Sequence, residues 1–435
     1  MGERRKFIPL VRSCRIKSQR HALLIHFCAV FFATADVCLS LSNLSMKLPA
    51  LITATALGLF AFSSVATAAP KKLLVVTITA GFRHGPAIDA AEKVLPELAA
   101  KSAGELAFEF LSEPGPKPNA GPKPVRTKLM SDAQWVDEEA KYKAAEAKAR
   151  GEQGAWNDKV KELFAAKLSA ANLATLDGVI FCNTTGDLPL PDGDALANWV
   201  KSGKAFIGMH AATDTLKNMQ SYYDMINGSF AGHPWGGGGT YTFANHEPSH
   251  PVVAMFQPEF QWKDEIYQYT HFNPESVRVL LSIDMAKSQP QAPYHVPVSW
   301  VRNVGDGRLF YTNLGHNAST WTDAIYQQHI TAGIRWALKL IDGPAEANPA
   351  VSAQQALKSI AATAGTVLKI DAAAVEAKAL AKAKADPAWA TKLAAEGDSY
   401  RTLPTPNKDS KPEDIEKAKT AKSDLLKKLV SEIEN

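Results

Sequence analysis

Several short apolar runs along the chain end abruptly in polar residues. Leu73 to Ile78 is one, closing in Thr79-Ala80-Gly81-Phe82-Arg83-His84-Gly85. Val179 to Cys182 closes in Asn183-Thr184-Thr185-Gly186-Asp187, and Lys204 to Gly208 closes in His210, Thr213, Asp214 and Thr215. Unbroken apolar runs of this length predict strands buried on both faces, as in a parallel sheet. Between the first two runs lies a stripe of Ile88, Ala91, Leu95 and Leu98 at helical spacing, with Pro86 in the first turn of the predicted helix. Leu106, Phe108 and Phe110 alternate as a second strand, so the opening is β-α-β with a parallel crossover.

Residues 113–160 break this rhythm. Pro114, Pro116, Pro118, Pro122 and Pro124 punctuate a polar segment, and a Lys/Glu/Ala-rich run continues to about Arg150. The pattern predicts an insertion, a loop followed by a solvated helix, with a helical pattern resuming over Phe164 to Leu173. Ala195 to Val200 is helical. Leu216 to Pro258 is rich in loop residues and includes the bend Gly236 to Gly239, which lacks the helix and lysine of a phosphate loop. Val277 to Ile283 and Pro297 to Val301 read as strands, and Gly305-Asp306-Gly307 as a hairpin turn into Arg308 to Asn313. Asp323 to Ile341 reads as a helix with Ile330, Ile334, Ala337 and Ile341 inward. Beyond Gly343 the composition turns to Ala and Lys. Residues 344–435 read as an α-helical extension, broken by the Pro-rich stretch from Leu403 to Pro412, with no catalytic constellation and a role in docking or solubility.

The first 68 residues change the charge argument. Met46-Lys47, the apolar stretch Leu48 to Val65 and Ala66-Thr67-Ala68 have the form of a secretory signal peptide over 46–68, with Met46 as the expected start. The expectation is a periplasmic or secreted protein with no stable membrane anchor after cleavage. The alternative is a long leader with one anchoring helix, since His21 to Leu44 is also apolar. Residues 1–68 carry eight Lys/Arg against two acids, so the +4 of the whole chain becomes −2 without them. The basic balance belongs to the leader, and nucleic-acid binding loses its electrostatic support. Of four cysteines only Cys182 lies beyond residue 68, which leaves no intramolecular disulfide there.

Carboxyl ends of parallel strands share one edge, where ligands of open α/β sheets sit. The strand ends here carry Arg83 and His84, Thr185 and Asp187, His210 and Asp214, and His316, while loops add His233, His246, His250, Asp264 and Glu265. Any one of them can be a core or capping residue: His210 can be a satisfied structural histidine, and Asp214 can cap the next helix. Their recurrence at corresponding positions predicts a site.

At this point the chain resembles the ThuA-like, trehalose-utilisation family. The residues that carry the resemblance are Gly-Phe-Arg-His (81–84), Thr-Thr-Gly-Asp (184–187), Gly-Met-His-Ala-Ala-Thr-Asp (208–214), Gly-x-Phe-x-Gly-His-Pro (228–234), Asp-Glu-x-Tyr (264–267), Pro-Val-x-Trp (297–300), Gly-x-Gly-Arg (305–308) and Leu-Gly-His (314–316), spanning about residues 71–342. The resemblance implies a flavodoxin-like fold related to class I glutamine amidotransferases, a doubly wound, mostly parallel sheet, over a domain of residues 69–343. The nucleophile elbow of those amidotransferases is Gly-x-Cys-x-Gly. Here the run is Gly208-Met209-His210-Ala211-Ala212, so the thioester route is closed. Cys182, inside a buried strand, reads as core.

The resemblance also implies chemistry on 3-keto glycosides or disaccharides supplied by a partner sugar 3-dehydrogenase. A C3 ketone acidifies the C2 proton, so a base and a holder of enolate charge are required. His210 suits the base, with Gly208, Ala211 and Ala212 leaving room for substrate. His84, Arg83 or a metal suits the charge, and Asp214 is placed to orient an imidazole. Thr185, Asp187, His233, Trp300 and His316 are the further substrate-binding candidates. No cofactor is assigned, but the histidines permit zinc on His210, His84, His233 and His316. Trp235, Tyr241, Tyr267, Trp300 and Trp321 suit sugar stacking. The alternative is a carbohydrate-binding or sensing domain without turnover.

Overall fold

The computed structural model describes residues 69–435 apart from Lys408. The signal-peptide reading, the start at Met46 and three of the cysteines therefore lie outside the described residues. The chain opens with β1 (Lys71–Val76), α1 (Gly85–Lys101), β2 (Leu106–Leu111), α2 (Asp132–Lys167) and α3 (Ala170–Leu173). Next come β3 (Gly178–Cys182), α4 (Gly193–Lys201), β4 (Ala205–Met209), α5 (Gln220–Ile226) and β5 (Ser229–Phe230). They are followed by β6 (Thr240–Asn245), β7 (Glu259–Lys263), β8 (Tyr269–Thr270), β9 (Arg278–Ile283), β10 (Pro297–Val304) and β11 (Gly307–Thr312). The remainder is helical: α6 (Ala318–Thr322), α7 (Ala324–Ala337), α8 (Pro349–Leu368), α9 (Ala372–Ala385), α10 (Pro387–Asp398) and α11 (Pro412–Glu434).

Nine strands form one sheet in the order β2-β1-β3-β4-β11-β10-β9-β6-β7. The first five are parallel, and their order is the flavodoxin-like 2-1-3-4-5 with β11 as the fifth strand. The other four continue the sheet antiparallel. Alternation along each strand divides the core. Leu73, Val75, Ile180 and Ile207 pack with α1 and α7 on one face, while Leu74, Val76, Val179 and Phe206 pack with α2, α4 and α5 on the other. This double burial is why the parallel strands are continuously apolar.

Three expectations change. The helix expected to end near Arg150 runs unbroken to Lys167, because Trp156, Val160 and Phe164 give its last turns a buried stripe against the sheet. A capping box on Ser131 and Gln134 starts it. The loop-rich Leu216 to Pro258 contains α5, β5 and β6, and the helix expected over Asp323 to Ile341 ends at Ala337 after the separate turn α6.

The C-terminal helices have their own core, including Leu357, Ile360, Leu393, Leu426 and Leu429. Asn348, just before α8, docks them on β9. Its side chain accepts from Val279 N at 2.7 Å and donates to Val279 O at 3.0 Å. Among the described residues, no helix is long and apolar enough to cross a membrane.

Candidate functional site

The carboxyl ends of β1, β4 and β11 open onto one edge of the sheet and deliver His84, His210 and His316. Their ring centroids form a near-equilateral triangle, at 5.0, 5.2 and 5.2 Å. Glu265, on the connection from β7 to β8, closes the group. Its Oε2 lies 3.6 Å from both His210 Nε2 and His316 Nε2, and its Oε1 lies 3.3 Å from His233 Nδ1.

His210 is fully buried and begins a 3-10 turn, with a left-handed φ of +46°. Surrounding hydroxyls hold that turn: Tyr311 donates to His210 O at 2.7 Å, and Tyr222 donates to Ala212 O at 2.8 Å. The His210 ring is held as well, with Nδ1 2.7 Å from the Asn313 carbonyl. A carbonyl only accepts, so Nδ1 carries a proton and Nε2 is the nitrogen aimed at Glu265. Asn313 also accepts the N–H of Tyr267 through its side chain at 3.3 Å. The Tyr267 hydroxyl in turn lies 3.4 Å from His84 Nε2.

Two buried ring nitrogens of the cluster, His84 Nδ1 and His210 Nε2, have no hydrogen-bond partner. Burial, then repulsion from His210 and His316, pushes the His84 pKa down to about 3, so this imidazole is neutral near pH 7. Burial opposes the charge on Glu265, but contact with His210 and the adjacent His316 and His233 outweighs it and holds the carboxyl below its ordinary value. Burial raises the Tyr267 phenol, which stays protonated. His84, His210, His316 and Glu265 each turn one donor atom inward, and these four atoms lie within 4.8 Å of one another. Metal–nitrogen bonds of about 2.0–2.1 Å suit a donor set of this kind after small side-chain rotations.

The trehalose-utilisation family model matches residues 72–337, more than half of the chain and all four of these residues. The chain belongs to the ThuA family. Among solved structures it is similar to a thua-like protein of Bacteroides uniformis, at 18% identity and TM-score 0.43, over 62% of this chain and 92% of that one. It is also similar to a thua-like protein of Parabacteroides merdae, at 14% identity and TM-score 0.42, over 64% and 98%. No curated protein matches it.

In this ThuA protein the residues singled out in the sequence fall into three groups. His84, His210 and His316 come together, and His233 joins them through Glu265 at the solvent side. Three others hold the scaffold. Thr185 is buried and donates to Phe82 O at 2.7 Å. Trp300 is stacked on Tyr311 at 4.2 Å inside the core, so it is not a sugar contact. Arg83 is engaged by Glu113 at 3.0 Å rather than by the histidines. Two others point away. Asp214 pairs with Lys217 at 2.7 Å, so Asn313 and Glu265, not Asp214, orient His210. Asp187 is exposed, with Asn218 at 3.5 Å.

Gly208, Ala211 and Ala212 do not make the room expected beside His210. A Cβ on Gly208 would meet Tyr311 at 2.9 Å, and Ala211 and Ala212 are fully buried. Trp235, Tyr241 and Trp321 are core residues that donate to the carbonyls of Pro290, Gly236 and Gly315. Sequence reasoning misses Asn313, offers Tyr267 only for stacking, and names Asp264 and Glu265 without a ligand or positioning role. The polar run Asp-Glu-x-Tyr at 264–267 was the signal for the last three.

Proposed function

We propose that this protein is a metal-assisted enzyme of oxidised sugars, with His84, His210, His316 and Glu265 holding a divalent cation of the zinc class. One observation carries the reading: four donor atoms from four separate segments converge, and two of the buried ring nitrogens lack any other partner. Neutral imidazoles with one carboxylate suit zinc and its neighbours. Hydrogen bonds that fix the ligands are the usual support for such a site, and the His210 Nδ1–H donates one to the Asn313 carbonyl. Membership of a family described by trehalose utilisation supports a sugar-related role.

The substrate proposed is a 3-keto glycoside, supplied by a dehydrogenation at C3. A cation held by these four residues would supply Lewis acidity to the C3 carbonyl oxygen. His233, at the solvent side with its Nδ1 on Glu265, takes the C2 proton. The C2–H electron pair forms the enolate, then moves into a C1–C2 double bond as the C1–O bond breaks. The leaving alkoxide takes up the proton held by His233, giving an enone and a free alcohol. In this reading the Tyr267 phenol, protonated and 3.4 Å from His84 Nε2, would donate a hydrogen bond to the developing enolate.

The test is metal content and turnover of 3-keto-trehalose, followed by enone absorbance. Stoichiometric zinc or cobalt, and loss of turnover with a chelator restored by metal, are expected. Chelator-insensitive turnover that His210→Ala abolishes would replace the metal reading with His210 as a plain base. Saturable sugar binding without product would favour the non-catalytic alternative.

A further inference from the structure

Among the described residues, the large hydrophobic side chains left exposed are Phe82, Val125, Leu129, Val136, Val367 and Ile370. Phe82 is the one aromatic in that set, and it is 71% exposed. It also stands against the candidate metal centre: its ring meets His84 nearly perpendicularly, at 79° with centroids 4.9 Å apart. A perpendicular contact leaves at least one ring face free.

Exposure here is imposed by the backbone. Ala80 N and Gly81 N both donate to Thr185 O, at 2.8 and 3.2 Å, and Thr185 Oγ1 donates to Phe82 O at 2.7 Å. Gly186 is packed so tightly beneath that a Cβ on it would meet Gly81 N at 2.6 Å. The next residue, Arg83, is anchored to Glu113. With both neighbours fixed, Phe82 has no route into the core. An apolar ring held in water has an unfavourable free energy that a ligand covering it relieves.

We propose that Phe82 is the stacking platform for the sugar, receiving the C–H face of a pyranose ring and thereby setting which ring atom reaches the centre. This rests on the reading of the centre given above. A pyranoside has one face of C–H bonds and a rim of hydroxyls. Phe82 offers the first an aromatic surface, while His233 and His316, both partly exposed, face the second. Linear polyols lack such a face and gain nothing from the ring.

The experiment compares the full chain with Phe82→Ala and Phe82→Trp. The probes are trehalose and methyl α-glucopyranoside, with glycerol as control, read by NMR titration; zinc affinity is titrated in parallel. Phe82→Ala should weaken both pyranosides roughly 3- to 10-fold, leave glycerol and zinc unchanged, and keep the melting temperature. Phe82→Trp should retain or tighten pyranoside binding. Equal pyranoside affinity in wild type and Phe82→Ala, or no pyranoside binding by wild type, overturns the platform. Failure of the metal reading would show separately, as wild type that takes up no zinc.

Discussion

The carboxylate of Asp264 accepts the backbone N–H of Gly315 at 2.7 Å, joining the two segments that carry Glu265 and His316. The same side chain accepts from Asn317 N at 2.9 Å and from Thr320 Oγ1 at 3.0 Å. Asp264 is fully buried, and burial raises its pKa against these bonds. It is therefore a positioning residue for two candidate ligands. Asp264→Asn presents an amide N–H₂ where an acceptor is required. Zinc affinity should fall about 10- to 100-fold, with roughly 1–3 kcal/mol of stability lost from unsatisfied N–H groups. A stability loss with zinc affinity intact would confine Asp264 to a structural role.

Much of this arrangement is legible in sequence, for a physical reason. Parallel strands buried on both faces must be continuous apolar runs, so β1, β3 and β4 stand out, and the residues after them share an edge with those after β11. That is how His84, His210 and His316 come to notice together. The antiparallel half is harder. In β7 only Phe260 and Trp262 turn toward the core between exposed Glu259, Gln261 and Lys263, and β6 follows the glycine run. Glu265 comes from the connection leaving β7, so its place beside the histidines depends on pairings that local pattern does not record. Asp214 misleads for the opposite reason: it is near His210 in sequence, but the 3-10 turn carries it toward Lys217. Aromatic residues give no sign of which face they occupy, and Trp300 lies in the core while Phe82 is exposed.

Cys182 lies in β3, the strand between β1 and β4, and is fully buried, with burial raising its thiol pKa. Thiolate is the reactive form, so native protein should resist alkylation. Modification should become rapid only in denaturant. Fast labelling of folded protein with loss of activity would revive a cysteine-based mechanism.

The C-terminal helices complete the pairing of β9 where β6 no longer reaches. β6 pairs with residues 281–283, and Asn348 supplies both partners of Val279. Asn348→Ala should lower stability by about 1–3 kcal/mol without a second transition. A chain of residues 69–343 should still melt cooperatively, at a temperature below that of Asn348→Ala. Loss of any cooperative transition would make the helices integral to the fold.

His329 gives the stability a pH dependence away from the candidate centre. It is fully buried, with Nδ1 2.7 Å from Val252 O and Nε2 3.0 Å from Thr312 Oγ1. The carbonyl requires the proton on Nδ1, so Nε2 accepts from the threonine and neither nitrogen has room for a second proton. Burial, partly offset by the Val252 bond, pushes its pKa down to about 4. The unfolded chain takes up that proton near pH 6.5, so it binds more protons than the folded chain between about 6.5 and 4. Stability is therefore present above pH 6.5 and lost as pH falls. For this residue the loss is on the order of 2 kcal/mol by pH 5. His246, pushed down to about 4, and His295, pushed well below its ordinary value, add to it with the same sign. Urea unfolding of metal-free protein between pH 7.5 and 5 measures the slope. His329→Gln should be less stable at pH 7.5 yet lose less on acidification, by about one proton's worth. Parallel curves for wild type and variant would show that His329 is protonated in the folded protein.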